Sequence, residues 1–90
     1  IVQAQNITVT GSVEDQNGEP LIGVTVAELN TTNGAITDID GNFSIKCVKG
    51  SILKFSYIGY KDVTKVVTES KLKIVLIEDS QALDEVVVVG

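Results

Sequence analysis

The sharpest candidate for chemistry in this ninety-residue chain is Asp38-Ile39-Asp40-Gly41-Asn42, two carboxylates and a glycine spaced as in part of a calcium loop. A complete loop of the helix–loop–helix kind needs further oxygen ligands and a closing glutamate about twelve residues in. Here Ile36 stands where another aspartate is expected, and no glutamate closes the loop. The same five residues suit a β-turn in which Asp and Gly serve local hydrogen bonds. The turn reading is preferred, and no metal site is expected.

Three carboxylate pairs, Glu14/Asp15, Glu78/Asp79 and Asp84/Glu85, fall in turns or linkers. Catalytic carboxylates need burial or close opposition to part their pKa values, and neighbours in a turn have neither. Cys47 is a possible nucleophile, but the chain has no His to act as its base. Its phase turns it inward beside Phe43 and Ile45, where a thiol is inert. The serines and threonines likewise have no His partner. No catalytic residue and no cofactor are expected. A lone cysteine makes neither an internal disulfide nor a structural zinc site. Net charge is −5, with seven Lys and no Arg, which argues against nucleic acid as a partner.

Tyr57-Ile58-Gly59-Tyr60 places two aromatic rings around a glycine. Exposed, Tyr57 and Tyr60 would stack on a sugar ring and count as ligand contacts. Buried, they would close the core of a chain with 4% aromatic residues. The core reading is preferred and the ligand reading kept as its alternative.

These residues must be positioned by strands. The chain holds 14 Val, 10 Ile and 8 Thr, all β-branched and suited to pleated sheets. Ile7, Val9 and Val13 share one face of a first strand, with Gly11 on that face as a point of close backbone approach. Asn17-Gly18 marks a turn. Val24 to Leu29 is a second strand whose alternation slips near Ala27, and Ala35–Thr37 is a short third. Phe43, Ile45 and Cys47 face inward on a fourth, and Leu53, Phe55 and Tyr57 on a fifth. Tyr60 to Val67 reads as a sixth of ambiguous phase, and Leu72, Ile74 and Leu76 as a seventh. The fold class expected is all-β, a seven-stranded antiparallel sandwich. No apolar run reaches the roughly 20 residues of a membrane-spanning helix.

The ends differ from the middle. Residues 1–6 read as the remnant of an export signal, through Val2-Gln3-Ala4, or as an unstructured start. Residues 7–77 form the sandwich. Residues 78–90 read as a linker followed by a flexible tail, in which Asp84-Glu85 precedes Val86-Val87-Val88-Val89 and Gly90. Such a valine run is a strong strand former. It would pair with the sheet edge of another protein through its backbone, and the adjacent acids would restrain self-association. A buried core strand is the alternative.

Taken in order, the motifs resemble a known family. Val9-Thr10-Gly11-Ser12-Val13 and Asn17-Gly18-Glu19-Pro20-Leu21-Ile22-Gly23-Val24 look like the opening of a carboxypeptidase regulatory-like domain. Thr32-Asn33-Gly34, Thr37-Asp38-Ile39-Asp40-Gly41-Asn42-Phe43 and Ser56-Tyr57-Ile58-Gly59-Tyr60 continue it. With the terminal Leu83-Asp84-Glu85-Val86-Val87-Val88-Val89-Gly90, the whole resembles the N-terminal extension of SusC/RagA-type TonB-dependent outer-membrane transporters of Bacteroidetes. The resemblance implies an Ig-like or transthyretin-like sandwich at the periplasmic face of the outer membrane. It implies a plug and a barrel in the parent transporter, and Asp84 to Gly90 as the TonB box that the periplasmic domain of TonB engages. A SusD-like surface lipoprotein would be a further partner, and a glycan the expected cargo.

Overall fold

The computed structural model describes residues 5–79. They form seven strands: β1 (Asn6–Glu14), β2 (Thr25–Glu28), β3 (Gly34–Ile36), β4 (Asn42–Val48), β5 (Ile52–Ser56), β6 (Val63–Val66) and β7 (Lys71–Val75). No helix occurs among the described residues. One sheet has the order β4-β1-β7, the other β3-β2-β5-β6.

Alternation places the core between the sheets. Val9 and Val13 of β1, Phe43, Ile45 and Cys47 of β4, and Ile74 of β7 are buried on the inner face of the three-stranded sheet. Val26 of β2 and Leu53 and Phe55 of β5 meet them from the other sheet. Phe43 packs edge-on against Phe55, with ring centroids 5.4 Å apart at 66°, an arrangement that adds about 0.5–1.5 kcal/mol to simple burial. Leu21, Val24, Val67 and Leu76 are buried from positions just outside the strands.

Most of the ladders are antiparallel, but β1 and β7 run parallel, with Thr10 opposite Lys71 and Glu14 opposite Val75. This corrects the expectation of a purely antiparallel sandwich. A parallel pair needs a long crossover, and here strands β2 to β6 supply it. Gly11 lies at the crossing. A Cβ there would fall inside the contact distance of the Leu72 carbonyl oxygen, so a side chain would push β7 away from β1.

The apparent slip in β2 has a chemical cause. The alternation continues past Ala27, but the next inward position is Glu28, 5% exposed, rather than an apolar residue. The sixth strand is shorter than expected and starts at Val63, because residues 59–61 are bonded elsewhere.

Candidate functional site

Glu28 was not legible as a special residue, yet its carboxylate organises one edge of the molecule. β4 is an edge strand, and Lys49 donates to Gln5 O on the β1 side. Odd-numbered residues of β4 therefore turn their backbone groups toward β1, and even-numbered ones turn outward. Several of the outward groups find partners beyond the ladder. Val48 N–H donates to Glu28 Oε2 at 3.1 Å, and Asn33 Nδ2 donates to Glu28 Oε1 at 3.0 Å and to Lys46 O at 2.6 Å. Asn42 N–H donates to Asp38 Oδ1 at 2.9 Å, and Asn42 O accepts from Asp38 N–H at 2.9 Å. The bond from Asn33, then that from Val48, holds the Glu28 carboxyl below its usual value, against the burial that pushes it up.

Asp38-Ile39-Asp40-Gly41 is a tight turn, as read. Asp38 Oδ1 accepts from both Asp40 N–H and Asn42 N–H at 2.9 Å, and Gly41 has φ +77°. One carboxylate oxygen of the pair is thus committed to backbone amides. Cys47 is buried, and burial, then the nearby Glu28 charge, raises its thiol pKa. A thiol so placed gives little thiolate and is a poor nucleophile.

Tyr57 and Tyr60 come together with ring centroids 5.6 Å apart. Both rings are half-buried and packed against the core. Partial burial, followed by the Glu78 carboxylate, raises the Tyr60 phenol above its usual value. Between them Ile58 is 91% exposed and Gly59 has φ +84°. Tyr57 and Ile58 join Gly23, Thr25 and Ser56 around a shallow depression on the outer face of the four-stranded sheet.

The last described residues run beside this turn. Lys61 N–H donates to Ile77 O and Asp79 N–H to Gly59 O, both at 2.9 Å, with Tyr60 bridged to Glu78. Glu78 and Asp79, read as the start of the linker, are therefore tied to the β5–β6 connection. The proposed tail residues Asp84, Glu85, Val86, Val87, Val88, Val89 and Gly90 lie outside the described residues, as do residues 1–4.

The described residues hold no group of three or more His, Cys, Asp or Glu placed to bind a metal. What they build is a two-sheet, immunoglobulin-like sandwich that offers surfaces and edges. The chain belongs to the CarboxypepD_reg-like domain family, which it matches over residues 9–88. It is similar to the TonB-dependent receptor SusC of Bacteroides thetaiotaomicron, with 45% identity over 87 residues, 97% of this chain and 9% of that protein. The TonB-dependent receptor P39 of Formosa agariphila is 40% identical over 84 residues, 91% of this chain and 8% of that protein. The chain thus spans less than a tenth of the length of either relative. Both are receptors by name, in line with the reading of the chain as non-enzymatic.

Among solved structures, the fold resembles chains in two mutants of a type II cohesin–X-dockerin complex from Acetivibrio cellulolyticus. The first has a TM-score of 0.64 at 24% identity, covering 79% of this chain and 57% of that one. The second has a TM-score of 0.58 at 21% identity, covering 77% and 56%. Identities this low speak to the fold alone.

Proposed function

We propose that the chain is a non-enzymatic periplasmic module at the N-terminal end of a TonB-linked outer-membrane nutrient transporter, with a glycan as cargo. Within it, Asp84, Glu85, Val86, Val87, Val88, Val89 and Gly90 act as the TonB box. The observation that carries this reading is the 45% identity to a TonB-dependent receptor over 97% of the chain. Residues 7–77, with Glu78 and Asp79 bonded to them, are the folded module, and the residues that follow connect it to the remainder of the transporter. The valine run adds as a strand to the periplasmic domain of TonB. Backbone hydrogen bonds supply the affinity and alternate side chains the specificity. TonB, drawing on the inner-membrane proton-motive force, then pulls the segment and rearranges the plug of the parent protein.

Strand addition depends on the backbone more than on side chains. Val87→Pro removes a donor and should abolish binding to the TonB periplasmic domain, while Val87→Ile should leave it intact. Isothermal titration of the three chains tests this. Equal affinity for the Pro variant would reject strand addition.

A second reading is favoured by the nearly complete exposure of Ile58 beside Tyr57. In it the sandwich is an accessory module that holds a glycan or a partner such as a SusD-like lipoprotein, with Tyr57 and Tyr60 in contact. Ring-proton shifts of these tyrosines on adding oligosaccharides would support it.

A further inference from the structure

The two ends of the sandwich are not alike. β1 runs from Asn6, opposite Val48, to Glu14, opposite Val75, so the described chain begins at one end of the molecule and finishes at the other. Four segments gather at the second end: 15–24, 37–41, 57–62 and 76–79. Gly23 N–H donates to Thr37 O and Lys61 N–H to Ile77 O, which tie them in pairs. The three most exposed large apolar side chains of the described residues lie here: Ile58 at 91%, Ile39 at 73% and Ile36 at 67%. Ile36 closes β3 opposite Thr25, the first residue of β2, and so belongs to the same end. Ile22 and Ile77 add half-exposed side chains. A single exposed isoleucine is ordinary, but several gathered at one end mark an interaction surface.

The same end is acidic. Asp15 and Glu19, Asp38 and Asp40, and Glu78 and Asp79 fall in three of the four segments, and the remaining one holds Lys61 beside Asp62. The connections at the opposite end, 29–33, 49–51 and 67–70, carry only Lys49 and Glu69.

We propose that this apolar, acidic end docks against the part of the parent transporter that follows it in the chain, on a surface where basic side chains surround an apolar hollow. Three observations select that occupant. First, Asp79 N–H is bonded to Gly59 O, next to Ile58, so the last described residues lie at the apolar end and not at the other. Second, the chain spans 9% of the receptor it matches at 45% identity, so a far larger body is joined to such a module. A body joined through the same chain meets this end at a high effective concentration, and a modest patch suffices to hold it. Third, the carboxylates disfavour a second copy, since two such ends face to face set like charges together, and they call for basic groups opposite. The inference rests on the reading of the chain as the N-terminal module of a transporter, and it concerns the sandwich rather than the contact with TonB.

The test uses the intact receptor in nanodiscs and amide hydrogen exchange followed by mass spectrometry. In the unsubstituted receptor, residues 36–41 and 57–60 should exchange at least about tenfold more slowly than in a receptor carrying Ile39→Ser and Ile58→Ser. Residues 29–33 at the opposite end, and the strands β1 and β5, should exchange alike in both. Ile39→Leu with Ile58→Leu should keep the slow exchange. Equal rates at 36–41 and 57–60 in the unsubstituted and serine receptors would overturn the docking. Slow exchange that disappears on dilution would also overturn it, by assigning this end to a second receptor. A change spread evenly over both ends and β1 would overturn it as well, by showing that these isoleucines belong to the core of the sandwich. Titration with the TonB periplasmic domain keeps the two readings apart. Slow exchange without TonB binding leaves the docking and removes strand addition, whereas binding without slow exchange removes the docking alone.

Discussion

Glu28 Oε2 accepts the backbone N–H of Val48 at 3.1 Å, so a carboxylate rooted in one sheet caps an outward amide on the edge of the other. Asn33 extends the seal by bridging Glu28 Oε1 to Lys46 O. An edge strand left bare is a template for unwanted pairing. A buried acid is costly unless hydrogen-bonded, and here the bonds that relieve the acid also blunt the edge.

Replacing Glu28 should therefore cost more than its size suggests. Glu28→Leu leaves the Val48 N–H without its acceptor and the Asn33 amide with Lys46 O alone, and should lower stability by about 1–3 kcal/mol. Glu28→Gln keeps one acceptor oxygen and should cost less. Urea unfolding monitored by tyrosine fluorescence gives both values.

The pH dependence has a definite sign. The Glu28 carboxyl is held below the usual 4.5 by the Asn33 and Val48 bonds. The unfolded chain therefore takes up this proton first as the medium is acidified. The stability from Glu28 is complete above about pH 4.5 and is lost as pH falls through the lower folded value. The stability gap between the unsubstituted chain and Glu28→Gln should narrow over that interval. A gap that stays constant between pH 6 and pH 3 would contradict the assignment.

Three glycines should rank by surroundings. Gly18 has φ +84° and open space around it, so Gly18→Ala meets only the left-handed penalty of about 1–2 kcal/mol. Gly41 has φ +77°, and a Cβ would approach Val13 O to 2.8 Å, adding an overpacking cost of about 1–3 kcal/mol. Gly11→Ala forces β1 and β7 apart at Leu72 and should also be severe. Melting temperatures in the order Gly18→Ala above Gly41→Ala and Gly11→Ala would bear this out.

Cys47 should resist thiol reagents in the folded chain, since burial and the Glu28 charge both disfavour its thiolate. Its labelling at pH 8 should follow opening of the fold and accelerate with urea. Rapid native-state labelling would place the thiol at the surface.

The sequence showed β1, β4, β5 and β7 through strict alternation, because each has one dry and one wet face. It showed the Asp38 turn through Asp and Gly at fixed offsets. Glu28 was hidden because a polar residue at an inward position breaks the alternation that would have exposed it. The parallel pairing of β1 with β7 was hidden too, since periodicity reports faces and not partners. β6 was ambiguous because Thr64, Lys65 and Val66 are all exposed, which leaves no pattern to read. The tyrosine turn was legible as a motif. Its role in holding Ile77 and Asp79 was not, because those bonds are made by backbone atoms.

The most direct measurement is hydrogen exchange at Val86, Val87, Val88 and Val89 in a labelled ninety-residue chain saturated with the TonB periplasmic domain. The expected result is alternating protection along the four amides, the mark of one edge paired to a partner strand, with Tyr57 and Tyr60 unchanged. Unprotected valine amides, with perturbation confined to the tyrosine turn, would contradict strand addition and leave the accessory-module reading in its place.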